Sequence, residues 1–492
     1  MQRALPVSHA LALFDIAHTR EIEQRAAASL PPHALMARAG EATARLALAL
    51  APHAQRVWVA AGPGNNGGDG LEAASHLQRW GKDVSVTLTG DATALPTDAR
   101  EALARAQAAG VRIGDEATDA TGFAIDALLG IGASRAPHGA IEAAVRRLNT
   151  LACPVLAIDV PSGLHADTGQ PLGGACVTAT HTLTMLTLKP GLFTAAGRDH
   201  AGAVWLETLG IDASADPAQA WLSGTGAVPI RRHASHKGSF GDVAVVGGGP
   251  GMSGAALLAA RAAYAAGAGR VFVEMLDVAA PGLDPQRPEL MFRRGWSGSA
   301  PAVLGASTVV CGCGGGDAVR APLPRLLSLA KRLVLDADAL NALASDAALA
   351  PLLRARAGRG AATVLTPHPL EAARLLGSST AEVQTDRLLA AHELAARYAC
   401  TVLLKGSGSV IAAPGQTARI NSTGNAALAS AGTGDVLAGW LGGRWAQLES
   451  ADEAATAFAA ATQAVAEHGA AAEPQPSGAL LAADLIERLH RR

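Results

Sequence analysis

Long apolar runs, an excess of one charge and paired cysteines are all missing from this chain of 492 residues. No stretch reaches the ~18 consecutive apolar residues of a membrane-spanning helix, because much of the 49% hydrophobic content is alanine. Lys and Arg number 40 against 42 Asp and Glu, which leaves a net charge of −2. That balance argues against a nucleic-acid partner and against a basic membrane-binding face.

The five cysteines, Cys153, Cys176, Cys311, Cys313 and Cys400, are an odd and scattered set. Cys311 and Cys313 are too close for a standard zinc pair, and the sequence contains no second pair. The N-terminus shows no apolar segment followed by a cleavage site. We therefore expect reduced thiols in a cytoplasmic protein.

Short apolar runs rich in β-branched residues alternate with alanine-rich helical stretches, which predicts parallel α/β architecture. The length favours two or three domains. Between 209 and 236 the chain is small, polar and proline-containing, so we predict a domain at 1–216, a linker at 217–226 and a second domain at 227–492. The predicted strands are 57–60, 84–88, 123–127, 155–158, 243–246, 271–274, 308–311, 333–335, 363–365 and 402–404.

A glycine-rich run, A-A-G-P-G-N-N-G-G-D-G at 60–70, follows a predicted strand and precedes a helix-like segment at 71–80. Its glycines permit close backbone approach and its asparagines add amide groups, so it can cradle an anion. It lacks the Lys-Ser/Thr pair of a Walker loop and the glycine spacing of the dinucleotide fingerprint. Asp126 and Asp159 end two further strands, which indicates one shared pocket. Separate helix caps are the alternative.

Together N-N-G-G-D-G, D-A-L-L-G-I-G at 126–132, D-V-P-S-G-L at 159–164 and L-M-A-R-A-G at 35–40 resemble the NAD(P)H-hydrate epimerase domain, over about 13–211. The resemblance implies a potassium ion held by Asn66, Asp126 and Ser162, and contact between Asp159 and the hydrated nicotinamide. Our hypothesis is that Asp159 is the acid–base group for inversion at the hydroxyl-bearing ring carbon. The implied dinucleotide contacts are Asn65, Asn66, Gly67, Gly68, Asp69, Gly130, Ile131, Gly132, Ala133, Ser134, Arg135, Ala136 and Asp159.

A second glycine turn, G-T-G-D at 432–435, precedes an apolar helical run that begins at Val436. The free N–H groups of such a turn and the partial positive charge of a helix N-terminus form an anion site. Asp435, at the mouth of that site, could take a proton from a substrate hydroxyl beside a bound phosphate. A helix cap with a glycine hinge is the alternative.

Further motifs precede this turn. S-H-K-G-S-F-G at 235–241 comes before a predicted strand, and the others follow strands: G-G-G-P-G-M-S-G-A at 247–255, D-A-D-A-L-N at 336–341, T-P-H-P-L-E at 366–371 and L-K-G-S-G-S at 404–409. With N-S-T-G-N at 421–425, they resemble the ADP- or ATP-dependent NAD(P)H-hydrate dehydratases of the ribokinase-like superfamily, over about 228–489. The resemblance implies contacts of the hydrated coenzyme with Ala255, Gly314, His368 and Asp435. It implies a nucleotide site at Lys405, Gly406, Ser407, Gly408, Ser409 and Gly434.

Individual residues in this series also have plainer interpretations. His368, between two prolines, could be a rigid turn residue, and Lys405 could solvate a strand end. We expect Asp336 and Asp338 to organise the sheet edge, and Glu371 to cap a helix. The family's usual G-P-G-L-G reads G-C-G-G-G at 312–316, which predicts a more flexible loop.

These resemblances imply a Rossmann-like three-layer α/β domain followed by a ribokinase-like α/β domain. The first would interconvert the R and S hydrates of NADH and NADPH. The second would dehydrate the S form at the expense of ADP with Mg²⁺, through phosphorylation of the hydroxyl and loss of phosphate. ATP is the alternative nucleotide, and we expect a homo-oligomer. Two other functions stay open: a small-molecule kinase fused to a dinucleotide-binding module, and a non-catalytic binding domain in the N-terminal half.

Overall fold

Every strand predicted from the sequence is present in the computed structural model, which describes residues 1–7, 9–114, 117, 120–224, 226, 231–475 and 478–491. The chain divides into two units, Met1–Leu222 and Ser223–Arg492. The segment predicted as a linker, 217–226, holds a strand at Ala220–Ser223. Thr225 in that segment, and 227–230 where the predicted second domain begins, lie outside the described residues.

The first unit alternates strands and helices. Its strands are β1 (Gln2–Arg3), β2 (Leu11–Leu13), β3 (Arg56–Ala61), β4 (Asp83–Leu88), β5 (Arg112–Ile113), β6 (Phe123–Ala127), β7 (Val155–Ile158), β8 (His181–Met185), β9 (Ala203–Glu207) and β10 (Ala220–Ser223). Its helices are α1 (Ile16–Ser29), α2 (Ala34–Leu50), α3 (Asn65–Arg79), α4 (Thr97–Ala108), α5 (Gly139–Thr150) and α6 (Gly197–His200).

The first unit's sheet has the order β1-β9-β8-β7-β6-β3-β4-β5, and its strands are parallel except for β1. Alternate residues of β3 enter two different cores. Val57 and Val59 pack with residues of α2, α3 and α4, whereas Trp58 and Ala60 pack with Val145 of α5. Helices therefore cover both faces of the sheet, as in the predicted three-layer α/β domain.

Helix α3 starts earlier than predicted. It begins at Asn65, so N-N-G-G-D-G forms its first turns instead of a loop before 71–80. A Cβ atom on Gly67 would lie 2.0 Å from the carbonyl oxygen of Gly62, and one on Gly68 would lie 2.5 Å from Cε of Met36. Glycine is required because the helix packs this closely, and that packing outweighs glycine's low helix propensity.

The second unit continues the alternation. Its strands are β11 (Asp242–Gly247), β12 (Arg270–Met275), β13 (Met291–Phe292), β14 (Ser307–Cys311), β15 (Arg332–Leu335), β16 (Ala362–Leu365), β17 (Thr401–Leu404), β18 (Val410–Ala413) and β19 (Gln416–Asn421). Its helices are α7 (Ser253–Ala265), α8 (Pro301–Ala306), α9 (Leu323–Leu329), α10 (Asp338–Ser345), α11 (Leu349–Arg354), α12 (Pro369–Leu376), α13 (Thr380–Thr385), α14 (Arg387–Tyr398), α15 (Thr433–Ala446), α16 (Glu453–Ala472) and α17 (Ala482–His490).

Within the second unit, neighbouring strands follow the order β13-β12-β11-β14-β15-β16-β17-β18-β19, parallel as far as β17 and antiparallel beyond it. Small residues bring α7 and α15 together, since a Cβ on Gly439 would lie 1.9 Å from the carbonyl oxygen of Ala259. The alanine-rich composition thus serves close helix packing. Among the helices described, none combines the length and apolarity needed to span a membrane. All five cysteines are free thiols.

Candidate active sites

The carboxyl ends of β3, β6 and β7 border a cavity of about 720 Å³ in the first unit. Open parallel sheets bind ligands at this end of their strands. The structure brings most of the predicted dinucleotide contacts to its wall, namely Asn65, Asn66, Asp69, Gly130, Ile131, Gly132, Ala133 and Asp159. The remaining ones, Gly67, Gly68, Ser134, Arg135 and Ala136, are not part of the wall, and the two glycines serve helix packing instead.

Asp159 is held by a lysine that the sequence interpretation missed. Nζ of Lys189, whose side chain is fully buried, donates to Oδ1 of Asp159 at 2.7 Å. The same ammonium donates to Oγ1 of Thr184 at 2.9 Å and to the Met185 carbonyl at 2.7 Å, so its three protons are all used. The N–H of Ile131 donates to Oδ2 of Asp159 at 2.9 Å. These bonds fix a carboxylate whose backbone φ is +68°.

Asp126 and Ser162 form a compact buried pair. Oγ of Ser162 donates to Oδ1 of Asp126 at 2.6 Å, and the N–H of Ser162 donates to Oδ2 at 2.8 Å. Burial raises the pKa of Asp126 to about 6, although these bonds and the N–H of Leu128 favour its charged form.

Asn66 has an amide group without partners. Among the described residues, neither its Oδ1 nor its Nδ2 has a hydrogen bond, and both atoms are buried. A Cβ on Gly130 would lie 3.3 Å from Oδ1 of Asn66 and 3.0 Å from Oδ2 of Asp159, so both oxygens face the glycine turn after β6. A buried amide in this state is free to bind a ligand or a cation.

Three further carboxyl groups line the same cavity: that of Asp98, which lies 2.7 Å from Nδ1 of His33, and those of Glu23 and Asp69. Burial raises the pKa of Glu23, and the charge of Asp159 adds to this. The pKa of Asp69 is raised well above its usual range by burial and then by the charges of Asp159, Glu23 and Glu72. In the part of the chain that the structure describes, neither Glu23 nor Asp69 has an ion pair or a hydrogen bond. The sequence interpretation named Asp69 only as a ligand contact and missed Glu23, which lies outside any motif.

Two glycines of the glycine-rich run before α3, Gly62 and Gly64, provide a matched test of backbone packing. A Cβ on Gly62 would lie 1.8 Å from the carbonyl oxygen of Leu128, whereas one on Gly64 would meet nothing within 4 Å. We expect Gly62→Ala to lower the free energy of unfolding by about 1–3 kcal/mol, because the backbone must move. Gly64→Ala should change it by no more than about 0.5 kcal/mol. Urea unfolding of both variants checks this, and equal losses would contradict the close approach.

In the second unit, Asp435 lies inside the first turn of α15, which begins at Thr433 and not at the predicted Val436. Gly432 precedes the helix with φ +85°, and a Cβ on Gly434 would lie 3.5 Å from Nζ of Lys405. The helix start and Lys405 therefore border the same space. Two sources of positive charge, the helix dipole and the ammonium group, make this space favourable for an anion.

The carboxyl group of Asp435, which is half-buried, forms a cluster with the buried residues Cys313 and Asp336. One atom from each, Sγ of Cys313 and a carboxylate oxygen of each aspartate, lies within 4.8 Å of the others, a set that could hold a divalent cation. Burial, and then the charge of Asp336, raise the pKa of Asp435 to about 6. Burial and the charge of Asp435 raise the pKa of the Cys313 thiol well above its usual range, so the thiol stays protonated.

Asp336 positions Lys405 and does not face the solvent. Nζ of Lys405 donates to Oδ1 of Asp336 at 2.7 Å, and Oγ1 of Thr366 donates to the same oxygen at 2.8 Å. Burial lowers the pKa of Lys405, but Asp336 and Glu371 outweigh it, so the pKa is raised. The lysine is thus a fixed cation beside the start of α15.

His368 and Glu371 cap α12 together. Nδ1 of His368 accepts from the N–H groups of Leu370 at 3.1 Å and Glu371 at 3.3 Å. The carboxylate of Glu371 accepts from the N–H of His368 at 2.8 Å, which confirms the prediction of a helix-capping acid. Nε2 of His368 lies 3.3 Å from Oε1 of Glu371, and the side chain remains 47% exposed.

Arg387 supports the strand-end loop K-G-S-G-S at 405–409 through hydrogen bonds to its backbone. This buried guanidinium donates to the carbonyl oxygens of Leu404 at 3.3 Å and Lys405 at 3.2 Å. Gly406 has φ +143°, and a Cβ there would lie 2.7 Å from the guanidinium. A buried arginine in α14 was not predictable, because its partners are carbonyl groups distant in sequence.

The loop at 312–316, which we expect to be more flexible than the family's usual G-P-G-L-G, makes several backbone hydrogen bonds. The N–H of Gly312 donates to the Val246 carbonyl at 3.1 Å, and the carbonyl oxygens of Cys313 and Gly314 accept from Gly248 at 3.0 Å and Gly249 at 2.7 Å. These hydrogen bonds join the loop at 312–316 to the neighbouring glycine loop after β11. The loop also approaches α7, since a Cβ on Gly314 would lie 2.8 Å from Cβ of Ala255.

The motif S-H-K-G-S-F-G at 235–241 is not part of the site around Asp435. Lys237–Phe240 form a short 3-10 helix, and His236 and Lys237 line a separate cavity of about 780 Å³. That cavity's wall includes none of the predicted site residues.

Comparisons with known proteins match both units. Residues 243–491 match the family model of NAD(P)H-hydrate dehydratase, and residues 32–191 match that of the YjeF-related protein N-terminus. A bifunctional NAD(P)H-hydrate repair enzyme of Escherichia coli K12 is 37% identical, and the match covers 93% of this chain and 88% of that protein. One from Coxiella burnetii is 36% identical, covering 97% and 98%.

Solved structures are similar to the second unit. The crystal structure of an ADP/ATP-dependent NAD(P)H-hydrate dehydratase from Bacillus subtilis, co-crystallised with ATP and Mg²⁺, is 30% identical. The match covers 54% of this chain and 92% of the Bacillus chain, with a TM-score of 0.42.

Proposed function

Because this chain belongs to the family of bifunctional NAD(P)H-hydrate repair enzymes, we propose that each of its two sites performs one step of that repair. The chain is an enzyme with an epimerase domain and a dehydratase domain. We assign the epimerase to 1–216 and the dehydratase to 227–492, with 217–226 between them. Homo-oligomerisation and a cytoplasmic location stay predictions, which light scattering and cell fractionation would test.

In the first domain, Asp159 is proposed to exchange a proton with the hydrated nicotinamide. Its carboxylate lies on the cavity wall, and Lys189 and the N–H of Ile131 stabilise its negative charge. The dinucleotide would lie along the start of α3 and the turn at 130–136. The free N–H groups of the first turn of α3 and the amide of Asn66 are suited to its phosphate groups.

The residues proposed to hold potassium suit that ion. Asn66 offers an amide oxygen without a partner, and Asp126 and Ser162 offer a carboxylate and a hydroxyl oxygen. Oxygen ligands of this kind suit a hard cation. A potassium ion there would supply positive charge beside the dinucleotide's phosphates.

Potassium dependence gives a direct test of this assignment. We expect epimerisation to slow when K⁺ is replaced by tetramethylammonium, and Asn66→Ala to raise the half-activating K⁺ concentration on the order of tenfold. Dehydration by the second domain, measured in the same samples, is the control. An Asn66→Ala enzyme with unchanged K⁺ activation would contradict the assignment.

In the second domain, Asp435 is proposed to take the proton of the hydrate's hydroxyl group as that oxygen attacks the terminal phosphoryl group of ADP. The observation that supports this is the position of Asp435, a half-buried carboxyl group with a pKa of about 6, in the first turn of α15 beside Lys405. A pKa near neutrality suits a general base. The N–H groups at 432–434 and Lys405 would stabilise the charge of the transferring group.

Elimination then completes the proposed reaction. Hydroxide is a poor leaving group and phosphate a good one, so loss of phosphate restores the dihydropyridine ring. Magnesium would neutralise charge on the nucleotide's phosphates when bound. Ala255, Gly314 and His368 are proposed to contact the coenzyme, and Lys405, Gly406, Ser407, Gly408, Ser409 and Gly434 the nucleotide.

Recovery of the reduced-nicotinamide absorbance from a mixture of R- and S-NADHX tests the proposal. With Mg²⁺ and ADP, the enzyme should restore the absorbance of both epimers, and a parallel assay with ATP decides the nucleotide. Asp159→Asn should restore promptly only the S fraction. No recovery with either nucleotide would refute the dehydratase assignment, and a stable phosphorylated alcohol would then favour the kinase alternative.

A further inference from the structure

Four carboxyl groups line the cavity of the first unit, and they differ in their partners. Oδ1 of Asp98 lies 2.7 Å from Nδ1 of His33. Asp159 has an ion pair with Lys189 at 2.7 Å and a hydrogen bond from Ile131. Among the described residues, Glu23 and Asp69 have neither an ion pair nor a hydrogen bond, and their carboxyl oxygens are not fully buried. Their carboxyl groups are therefore open to the cavity and available to a ligand.

The charges around Asp69 favour its neutral form. Glu23, Glu72 and Asp159 are all negative neighbours, and burial acts in the same direction, so the pKa of Asp69 is raised well above its usual range. Glu23 has positive neighbours in Lys189 and Arg20, which oppose the rise of its own pKa. The cavity thus holds Asp159, which is anchored by Lys189, and Asp69, whose surroundings favour its protonated form. Two carboxyl groups kept in different states by their surroundings are suited to acid and base roles.

We propose that Asp69 is a catalytic residue of the epimerisation, donating the proton to the departing hydroxyl group while Asp159 accepts a proton from the incoming water. This inference rests on the proposed function of the first domain. Asp69 projects from α3 and Asp159 follows β7, so the two groups reach the cavity from different elements. In this proposal they act on opposite faces of the bound ring.

The step balances without any further reactant. The carbon–oxygen bond breaks, its electron pair leaves with the oxygen, and the proton of Asp69 makes the leaving group water. The lone pair of the ring nitrogen forms a C=N bond, which makes the carbon planar. A second water adds to the opposite face, its proton passes to Asp159, and the ring nitrogen recovers its lone pair. In the reverse direction the two carboxyl groups exchange roles, so one proton serves both directions.

Asparagine at position 69 keeps the size of the side chain but cannot donate this proton. We expect Asp69→Asn to lower kcat for epimerisation by about 10²–10⁴-fold, with KM for R-NADHX changed less than about threefold and the melting temperature unchanged. Asp69→Glu, which retains a proton donor, should recover part of the rate. Glu23→Gln tests the neighbouring carboxyl group. Glu41→Gln is the control, because Glu41 forms only an exposed ion pair with Arg45 on α2.

The mechanism is tested independently in H₂¹⁸O with the unaltered enzyme. Each inversion should place one solvent oxygen in the epimerised hydrate, beyond the exchange seen without enzyme. Retention of the original oxygen, or an Asp69→Asn enzyme within about tenfold of the normal kcat, would overturn the assignment of Asp69. A larger loss in Glu23→Gln than in Asp69→Asn would also overturn it. If the unaltered enzyme leaves R-NADHX unchanged, the proposed function of the domain fails and this inference fails with it.

Discussion

Replacing Asp435 with asparagine should lower the rate of S-NADHX dehydration by about 10²–10⁴-fold and leave epimerisation unchanged. The carboxylate is half-buried at the start of α15, and its carboxylate neighbour Asp336 already accepts hydrogen bonds from Lys405 and Thr366. Cys313 is a further neighbour, but its thiol pKa is raised well above the usual range and it stays protonated. Absorbance recovery from pure S-NADHX measures the loss.

Asp317→Asn is the matched control, because the side chain of Asp317 is 99% exposed in the same unit and should tolerate the change. The pH dependence gives a second readout. The proton acceptor must be charged, and burial places the pKa of Asp435 at about 6. The rate with limiting substrate should therefore fall as the pH decreases through about 6 and level off above it. A rate that rises on acidification would contradict the role of Asp435 as a base.

Replacing Lys189 with methionine should abolish epimerisation and lower the free energy of unfolding of the first unit by about 3–5 kcal/mol. The substitution leaves Asp159, whose side chain is only 12% exposed, without its cation, which is the costly way to break a buried ion pair. Thermal unfolding of the full chain and epimerisation of R-NADHX measure the two effects. Dehydration of S-NADHX should persist at temperatures below the first transition.

The double variant Lys189→Met with Asp159→Asn separates stability from chemistry. Removing both charges relieves the uncompensated carboxylate, so most of the lost stability should return. Epimerisation should not return, because the proton acceptor is gone. If the double variant is as unstable as Lys189→Met alone, the ion pair is not the source of the loss.

Much of the architecture could be predicted, since short apolar runs and the motifs at their carboxyl ends are local features of the sequence. The ten strand runs and the three-layer first domain follow from them, and the motif series indicated both site regions. His181–Met185 and Ala203–Glu207 were missed as strands, because threonine, histidine and a glutamate interrupt their apolar pattern.

The supporting residues could not be predicted from local pattern. Lysine and arginine usually lie at the surface, yet Lys189 and Arg387 are buried and act through partners far along the chain. The start of α3 was misplaced because tertiary packing against Gly62 and Met36 determines it. Likewise, the hydrogen bonds that order the glycine loop at 312–316 come from Gly248 and Gly249, far upstream.

Complementation between two disabled chains tests the central claim, that each unit carries its own activity, most directly. Starting from pure R-NADHX with nucleotide and Mg²⁺, the Asp159→Asn chain and the Asp435→Asn chain should each fail to restore the reduced-nicotinamide absorbance at the enzyme's normal rate. An equimolar mixture should restore it fully, because the hydrate made S by one chain is dehydrated by the other. Rapid recovery by either variant alone, or none by the mixture when the unaltered enzyme succeeds, would contradict the assignment of one step to each unit.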